Sequence, residues 1–477
     1  MKAKLVKFSK FADDILPHEA DYLMQVHQLQ DPEKVSILER IAYNCHHPQQ
    51  KQTFETNIDK RKYSNLMQWV QQRLEAIDVD KHFEWINELD HKVLTDAVSA
   101  AEERTLLRKL KEYTSPDYYF VKLYELALNL RHFLLIRLRH EEHRVVDDFV
   151  KQWKPLYERA RVVHEKLHDA TIDIINQYSL NNTESRQWES YLLEVFYDDT
   201  LDGRSRYFAV VRLTFMYFNY REFDKLREVY DVLDDLLRQG VFYSRRILFN
   251  YYGNCVLLHS KYDVMQRAEE YGHWSIKQKN ADHLHYLNTY SAILLRQGKI
   301  DLALSVMKES FPEMRNTNNF HNKIGFASFY MKCLNLNQQP KDAQRFGTSF
   351  LDNYRHQILS QRWHVFFVAY LQSLMMQEAY REVIRVVRRY SILEKDLTYR
   401  SNVAYLPTVL WYLGVAEYME GMVDEDTLLG RIREWSAPHL ENPHKAKLLR
   451  DLANELSPHV PDLMEKVLQG WKAQAQA

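Results

Sequence analysis

The first glycine of this 477-residue chain is Gly203. Tight β-hairpins need backbone in the left-handed region, where glycine is the default residue. A chain that runs so far without one has no means of building a meander or a barrel over its first two fifths. The whole chain holds 11 glycines and 12 prolines, well under the usual shares of about 7% and 5%. Hydrophobic residues make up 45%, enough to exclude wholesale disorder. What is left is an all-α fold, as one long helical array or as about three ordinary domains.

The stretch from Leu287 to Met307 shows how the helices are joined. Leu287, Tyr290, Ser291 and Leu294 share one face of a first helix, and Ile300, Ala303 and Met307 share one face of a second. Gly298 stands between them, where a helix ends and a positive φ is convenient. A similar turn signal recurs at Phe223-Asp224, Tyr262-Asp263, Ile300-Asp301, Lys341-Asp342, Tyr380-Arg381 and Val423-Asp424. The intervals are 39 (223 to 262), 38 (262 to 300), 41 (300 to 341), 39 (341 to 380) and 43 (380 to 423). One helix-turn-helix hairpin per period of about 40 predicts an α-solenoid of about six repeats, because a lone hairpin cannot bury its own apolar face.

These residues resemble the tetratricopeptide repeat (TPR) family over about 205–430. The resemblance lies in Val210-Leu213-Thr214-Tyr217 with Tyr230, Phe249-Tyr252-Gly253-Val256, Leu287-Tyr290-Ser291-Leu294 with Ala303, and Leu410-Leu413-Gly414. The period exceeds the family's 34 residues, and the second helix usually lacks the family's alanine. The resemblance implies a superhelix whose groove is lined by the first helix of each hairpin. The implied groove positions are Asn250, Asn254, His285 and Asn288, with Phe208, Phe215 and Phe218 in the first hairpin. Asparagine donates and accepts at once, so it can hold an extended peptide backbone of any sequence.

The expected organisation is an N-terminal helical module over 1–200, the repeat array over 205–430 and capping helices over 431–477. In the module, Asp31-Pro32-Glu33 reads as an N-cap followed by proline at the first helical position. Helices are expected from Ser64 to about Ile77 and from near Val93 to Leu110. Tyr118 to Val150 reads as one helix, and a second long helix opens at Pro155. Leu180-Asn181-Asn182-Thr183 is expected to break the pattern and cap the next helix. Pro438, Pro443, Pro458 and Pro461 are expected to punctuate short helices after a last hairpin ending near Gly430. The end from Trp471 to Ala477 should fray.

The chemistry legible in the chain is sparse. It carries no phosphate-binding glycine loop, dinucleotide fingerprint, nucleophile elbow, H-E-x-x-H or C-x-x-C. One metal-like cluster exists, His140 and His143 with Asp147 one turn further on, which gives a metal-dependent enzyme as an alternative. Cys45-His46-His47 is a weaker soft-ligand candidate. Arg381, Arg385, Arg388 and Arg389, interleaved with Tyr380 and Tyr390, make a basic stripe that could follow a phosphate backbone. That nucleic-acid alternative requires other basic residues, such as Arg245 and Arg246, to extend the stripe. Formal charge is −1, so the whole chain lacks the basic excess of a dedicated nucleic-acid binder.

Three separated cysteines read as reduced thiols of a cytoplasmic protein. The opening residues are broken by Lys and Asp too soon for a signal-peptide core, and no apolar run reaches membrane-spanning length. The reading that follows is a non-catalytic interaction scaffold without cofactor, binding a protein or peptide in the groove.

Overall fold

In the computed structural model, residues 5–48, 50–180, 184–400, 402 and 405–474 are described. Among them every regular element is helical, as the glycine-poor sequence requires. None of the described helices is long and apolar enough to cross a membrane. Contacts divide the chain into two compact units, Met1–Tyr262 and Asp263–Ala477.

The first unit contains α1 (Val6–Asp14), α2 (Pro17–Val26), α3 (Pro32–His46), α4 (Lys60–Ile77), α5 (Val79–Leu94), α6 (Ala100–Lys111), α7 (Phe120–Ile136), α8 (His140–Leu180), α9 (Glu189–Tyr197), α10 (Gly203–Tyr220), α11 (Phe223–Arg238) and α12 (Arg245–Lys261). Helices α1 to α4 pack on one another, and α2 also lies on α11. Around α8 lie α6, α7 and α10. The Asp31 cap forms as expected, accepting from the Glu33 amide at 3.1 Å ahead of Pro32.

Three expectations here are corrected. The helix expected from Val93 to Leu110 is two helices, because Asp96 takes φ 56° and Ser99 and Glu102 form a capping box that starts α6. The single helix expected over Tyr118–Val150 breaks at Leu138, whose φ is 59°. There the Arg139 amide reaches back to the Leu134 carbonyl at 3.1 Å and closes the end of α7. Pro155 does not open a helix; it lies inside the 41-residue α8. The cap expected at Asn181-Asn182-Thr183 lies outside the described residues.

The second unit contains α13 (Met265–Ser275), α14 (His283–Arg296), α15 (Ile300–Glu309), α16 (Phe311–Asn316), α17 (Phe320–Leu336), α18 (Pro340–Gln357), α19 (Trp363–Met375), α20 (Tyr380–Arg389), α21 (Ile392–Tyr399), α22 (Thr408–Met419), α23 (Glu425–Leu440), α24 (Pro443–Leu456) and α25 (Pro461–Gln474). Helices α14, α17, α19 and α22 pack successively, each on the next. On their flank, α15 packs on α14 and α17, α18 on α17 and α19, and α20 on α19 and α22. One continuous apolar core runs from Leu284 to Val467. Helix α23 continues past Gly430 and contains Pro438, correcting the expected ending, whereas Pro443 and Pro461 do start helices. Of the fraying end, 475–477 lie outside the described residues.

Each recurrent turn signal falls at or just before a second helix, and each turn carries a residue in the left-handed region: Arg221, Asp263, Gly298, Gln338, Glu378 and Gly421, with φ from 54° to 73°. In five of them the next amide bonds five residues back, as in Lys299 to Leu294 (2.9 Å), Gln339 to Leu334 (2.9 Å) and Met422 to Glu417 (2.8 Å). This closure satisfies carbonyls the first helix leaves open. Close helix approach is set by glycine in α13 and α18. A Cβ at Gly272 would lie 2.2 Å from the Tyr290 ring, and one at Gly347 would lie 2.5 Å from the Tyr370 ring.

Candidate functional site

The residues singled out from the sequence fall in both units. Asn250 and Asn254 lie one turn apart on α12, both half-buried. The Tyr207 hydroxyl donates to Asn250 Oδ1 at 3.1 Å, and Asn254 Nδ2 donates to the same oxygen at 3.3 Å. Asn254 also bonds the buried Tyr230 hydroxyl. Both amides therefore tie α12 to α10 and α11.

His285 and Asn288 lie one turn apart on α14 in the second unit, near the first turn of α17. Asn288 is 7% exposed. Its Nδ2 donates to the Asn322 carbonyl at 3.3 Å, while its Oδ1 is buried with no hydrogen-bond partner among the described residues. A buried acceptor left in this state costs about 1–3 kcal/mol, so it marks a place where a donor belongs. Arg362 reaches the same turn of α17, with Nη1 donating to the His321 carbonyl at 3.2 Å. Between the two side chains lies Gly325: a Cβ there would stand 2.7 Å from Arg362 Nη1 and 2.8 Å from Asn288 Nδ2. Glycine is what allows a guanidinium and an amide to converge on one spot of a helix surface.

Three histidines surround this point, on the opening turns of successive helices: His285 (α14), His321 (α17) and His364 (α19). All three are held below the ordinary imidazole range. Burial is the leading cause each time, and the positive charge of Arg362 adds to it. For His285, Asp282 opposes the shift. His364 is lowered to about 4; its ring stacks on Tyr399 at 4.2 Å, and Nε2 meets the Tyr399 hydroxyl at 3.0 Å. At neutral pH this is a row of uncharged imidazoles beside one fixed cation.

Next to His364 opens a cavity of about 450 Å³ between α17, α19, α22 and α24. Trp363, Tyr399, Tyr405 and Tyr412 supply aromatic walls, and Lys332, Asp451 and Glu455 supply charge. Glu455 accepts from the Tyr412 hydroxyl at 2.5 Å. The enclosing walls push its carboxyl up from the ordinary carboxylate range, while hydrogen bonds from Tyr412 and Gln372 and the charge of Lys332 pull it back.

Arg362, His321, His364 and the cavity residues were missed by the sequence reading. The faint signal was histidine at 36 (285 to 321) and 43 (321 to 364) residues, close to the turn period. Arg362 was hidden further because it ends a π-helical turn, Ile358–Arg362, between α18 and α19. Such turns are rare and frequently functional.

The metal alternative finds no geometry. His140 is exposed at the start of α8, and Asp147 is held by Lys151 at 2.7 Å and Arg131 at 3.3 Å. Among the described residues no group of three His, Cys, Asp or Glu side chains is placed to hold a metal ion. In the other cluster, Cys45 donates to the Ile15 carbonyl at 3.3 Å and His46 bonds Asp21 at 2.7 Å.

The basic stripe does form the exposed side of α20, opposite buried Val383, Ile384, Val386 and Val387. Two of its members are paired: Arg381 with Glu420 at 2.6 Å, and Arg385 with Glu382. Arg389 lies over the Tyr390 ring at 5.5 Å. The residues needed to extend the stripe are also engaged, Arg245 with Asp14 and Glu19 and Arg246 with Asp80.

No family model matches this chain, and no curated protein or solved structure matches it either.

Proposed function

We propose that the second unit is a helical-repeat scaffold that holds an extended protein or peptide segment along α14, α17 and α19, with His285, Asn288 and Arg362 making the polar contacts. The observation that carries this reading is the convergence over Gly325: a buried amide oxygen lacking a donor, next to a guanidinium. An extended backbone offers an N–H for Asn288 Oδ1 and a carbonyl for Arg362 within one residue. The uncharged imidazoles suit a ligand that is mostly neutral main chain. The six similar turns and the successive packing of α14, α17, α19 and α22 support a repeat design of tetratricopeptide type, and the three buried cysteines, each a thiol outside any disulfide, accord with a reducing, cytoplasmic setting. In this reading Asn250 and Asn254 are internal ties of the first unit. The protein acts by binding, without a catalytic step.

The test is affinity purification from the native cytosol, with wild type beside Asn288→Ala/Arg362→Ala and with nuclease-treated and untreated lysates. A protein recovered by wild type, lost with the double variant and indifferent to nuclease is the expected result, followed by mapping of the bound segment with overlapping peptides of that protein. Recovery that survives both substitutions and vanishes with nuclease sinks the reading in favour of nucleic acid on the α20 arginines.

A further inference from the structure

We propose that the cavity beside His364 takes a basic side chain, lysine or arginine, from the segment bound along α14, α17 and α19. The inference rests on the peptide-binding reading and names the residue class that reading leaves open.

The first warrant is size and wall. A cavity of about 450 Å³ lies within the range of about 300–1,000 Å³ typical of ligand sites. Its aromatic walls, Trp363, Tyr399, Tyr405 and Tyr412, accept an aliphatic stem, and their ring faces attract a cation at its end.

The second warrant is charge. Four ionisable side chains line the cavity: Lys332, Asp396, Asp451 and Glu455. Asp396 is already answered, by Arg400 at 3.2 Å and the Tyr405 hydroxyl at 2.9 Å. That leaves two carboxylates from α24 against one ammonium. Glu455 is held by Tyr412 and Gln372, which are neutral donors; they orient the carboxylate without cancelling its charge, and Lys332 acts on it only through space. Any ligand that fills the cavity strips water from Glu455. An acidic ligand adds a third negative charge, and a neutral aromatic leaves the carboxylate desolvated and uncompensated. A guanidinium or ammonium replaces the lost water with a charge-assisted hydrogen bond.

The experiment uses the full chain and fluorescein-labelled, end-capped heptapeptides of serine and alanine with a central Lys, Arg, Glu, Phe or Ala, read by fluorescence anisotropy. The Lys and Arg peptides are expected to bind about tenfold more tightly than the Glu peptide at low salt, with the gap closing as NaCl is added. Glu455→Gln should collapse the preference to about twofold. Tyr412→Phe, which removes the hydrogen bond and keeps the charge, should retain most of it; equal loss in both variants would assign the effect to structure and overturn the proposal. A preference for Glu or Phe, or none, in binding still weakened by Arg362→Ala overturns the cavity assignment alone. Absence of binding by every peptide overturns the peptide-binding reading with it.

Discussion

Each unit gathers histidines, and the two gatherings are built on opposite terms. In the first unit His18 is 2% exposed and both ring nitrogens are bonded, Nδ1 to the Tyr252 hydroxyl at 2.9 Å and Nε2 to Asp234 at 2.8 Å. Asp234 also accepts from Tyr251 at 2.7 Å and from Arg238 at 2.6 Å. Arg238 continues to Asp21, which bonds His46. The buried Glu19 binds Tyr243 and Arg245 close by, at 2.6 and 2.8 Å. Cations and carboxylates alternate, so the network is complete within itself and clamps α2 to α11 and α12. In the second unit His321 and His364 feel only Arg362 and other histidines. Beside them Asn288 Oδ1 is buried with no hydrogen-bond partner among the described residues. A polar network closed on itself builds a body; one left with an unanswered acceptor is fit for a ligand.

The sharpest way to break this comparison is Asp234→Ala. It takes a partner from a buried imidazole, a tyrosine hydroxyl and a guanidinium together, and the expected loss is about 3 kcal/mol of stability. Urea denaturation measures the loss, and hydrogen exchange should show α2 and α11 opening first. A loss under about 1 kcal/mol would mean that the network is not what holds α2 in place.

Acid should find the other region. The unfolded His364 protonates near pH 6.5, whereas the folded one resists until about pH 4. The folded chain thus binds fewer protons in that interval. Stability is fully present above about 6.5 and drains as pH falls towards 4. After a discount for partial exposure, the contribution is on the order of 2 kcal/mol. His364→Gln should flatten the fall in stability between pH 7 and pH 4.5 by that amount. An unchanged slope would show that His364 takes up its proton at the same pH folded and unfolded, which would contradict a ring held down by burial and Arg362.

How much of this could be read from the sequence differs between fold and site, for one physical reason. The apolar faces of α14 and α15 were legible because burial follows helical spacing: Leu287, Tyr290, Leu294, Ala303 and Met307 are all buried. Helix ends were legible where a residue type announces them, as at Asp31-Pro32 and Gly298. They were missed at Asp96 and Leu138, where an ordinary residue takes the left-handed conformation. His285 and Asn288 were singled out as groove positions because they stand on α14, the first helix of a hairpin whose spacing was legible. Arg362 and Glu455 could not. The first is aimed by a π-helical turn that breaks the spacing, and the second meets Tyr412 across 43 positions of chain. Periodicity reports what a helix buries, and it is silent on what distant helices bring together.

The smallest effect tests whether the two units differ only in their polar groups. Arg221 in the first unit and Gln338 in the second hold φ of 59° and 54° in the same kind of turn. Each follows the first helix of a hairpin, and each is followed by an amide that bonds five residues back, Glu222 to Tyr217 and Gln339 to Leu334, both at 2.9 Å. A left-handed conformation costs a residue with a Cβ roughly 1 kcal/mol, and glycine escapes it at the expense of a floppier unfolded chain. Arg221→Gly and Gln338→Gly should therefore each stabilise by about 0.5 kcal/mol, visible as a small rise in the denaturation midpoint without a change in slope. Equal gains would mean that one turn design serves both units, which places their difference in the histidine networks. A gain in one and a loss in the other would move that difference down into the backbone, and the hairpins could no longer be treated as repeats of a single unit.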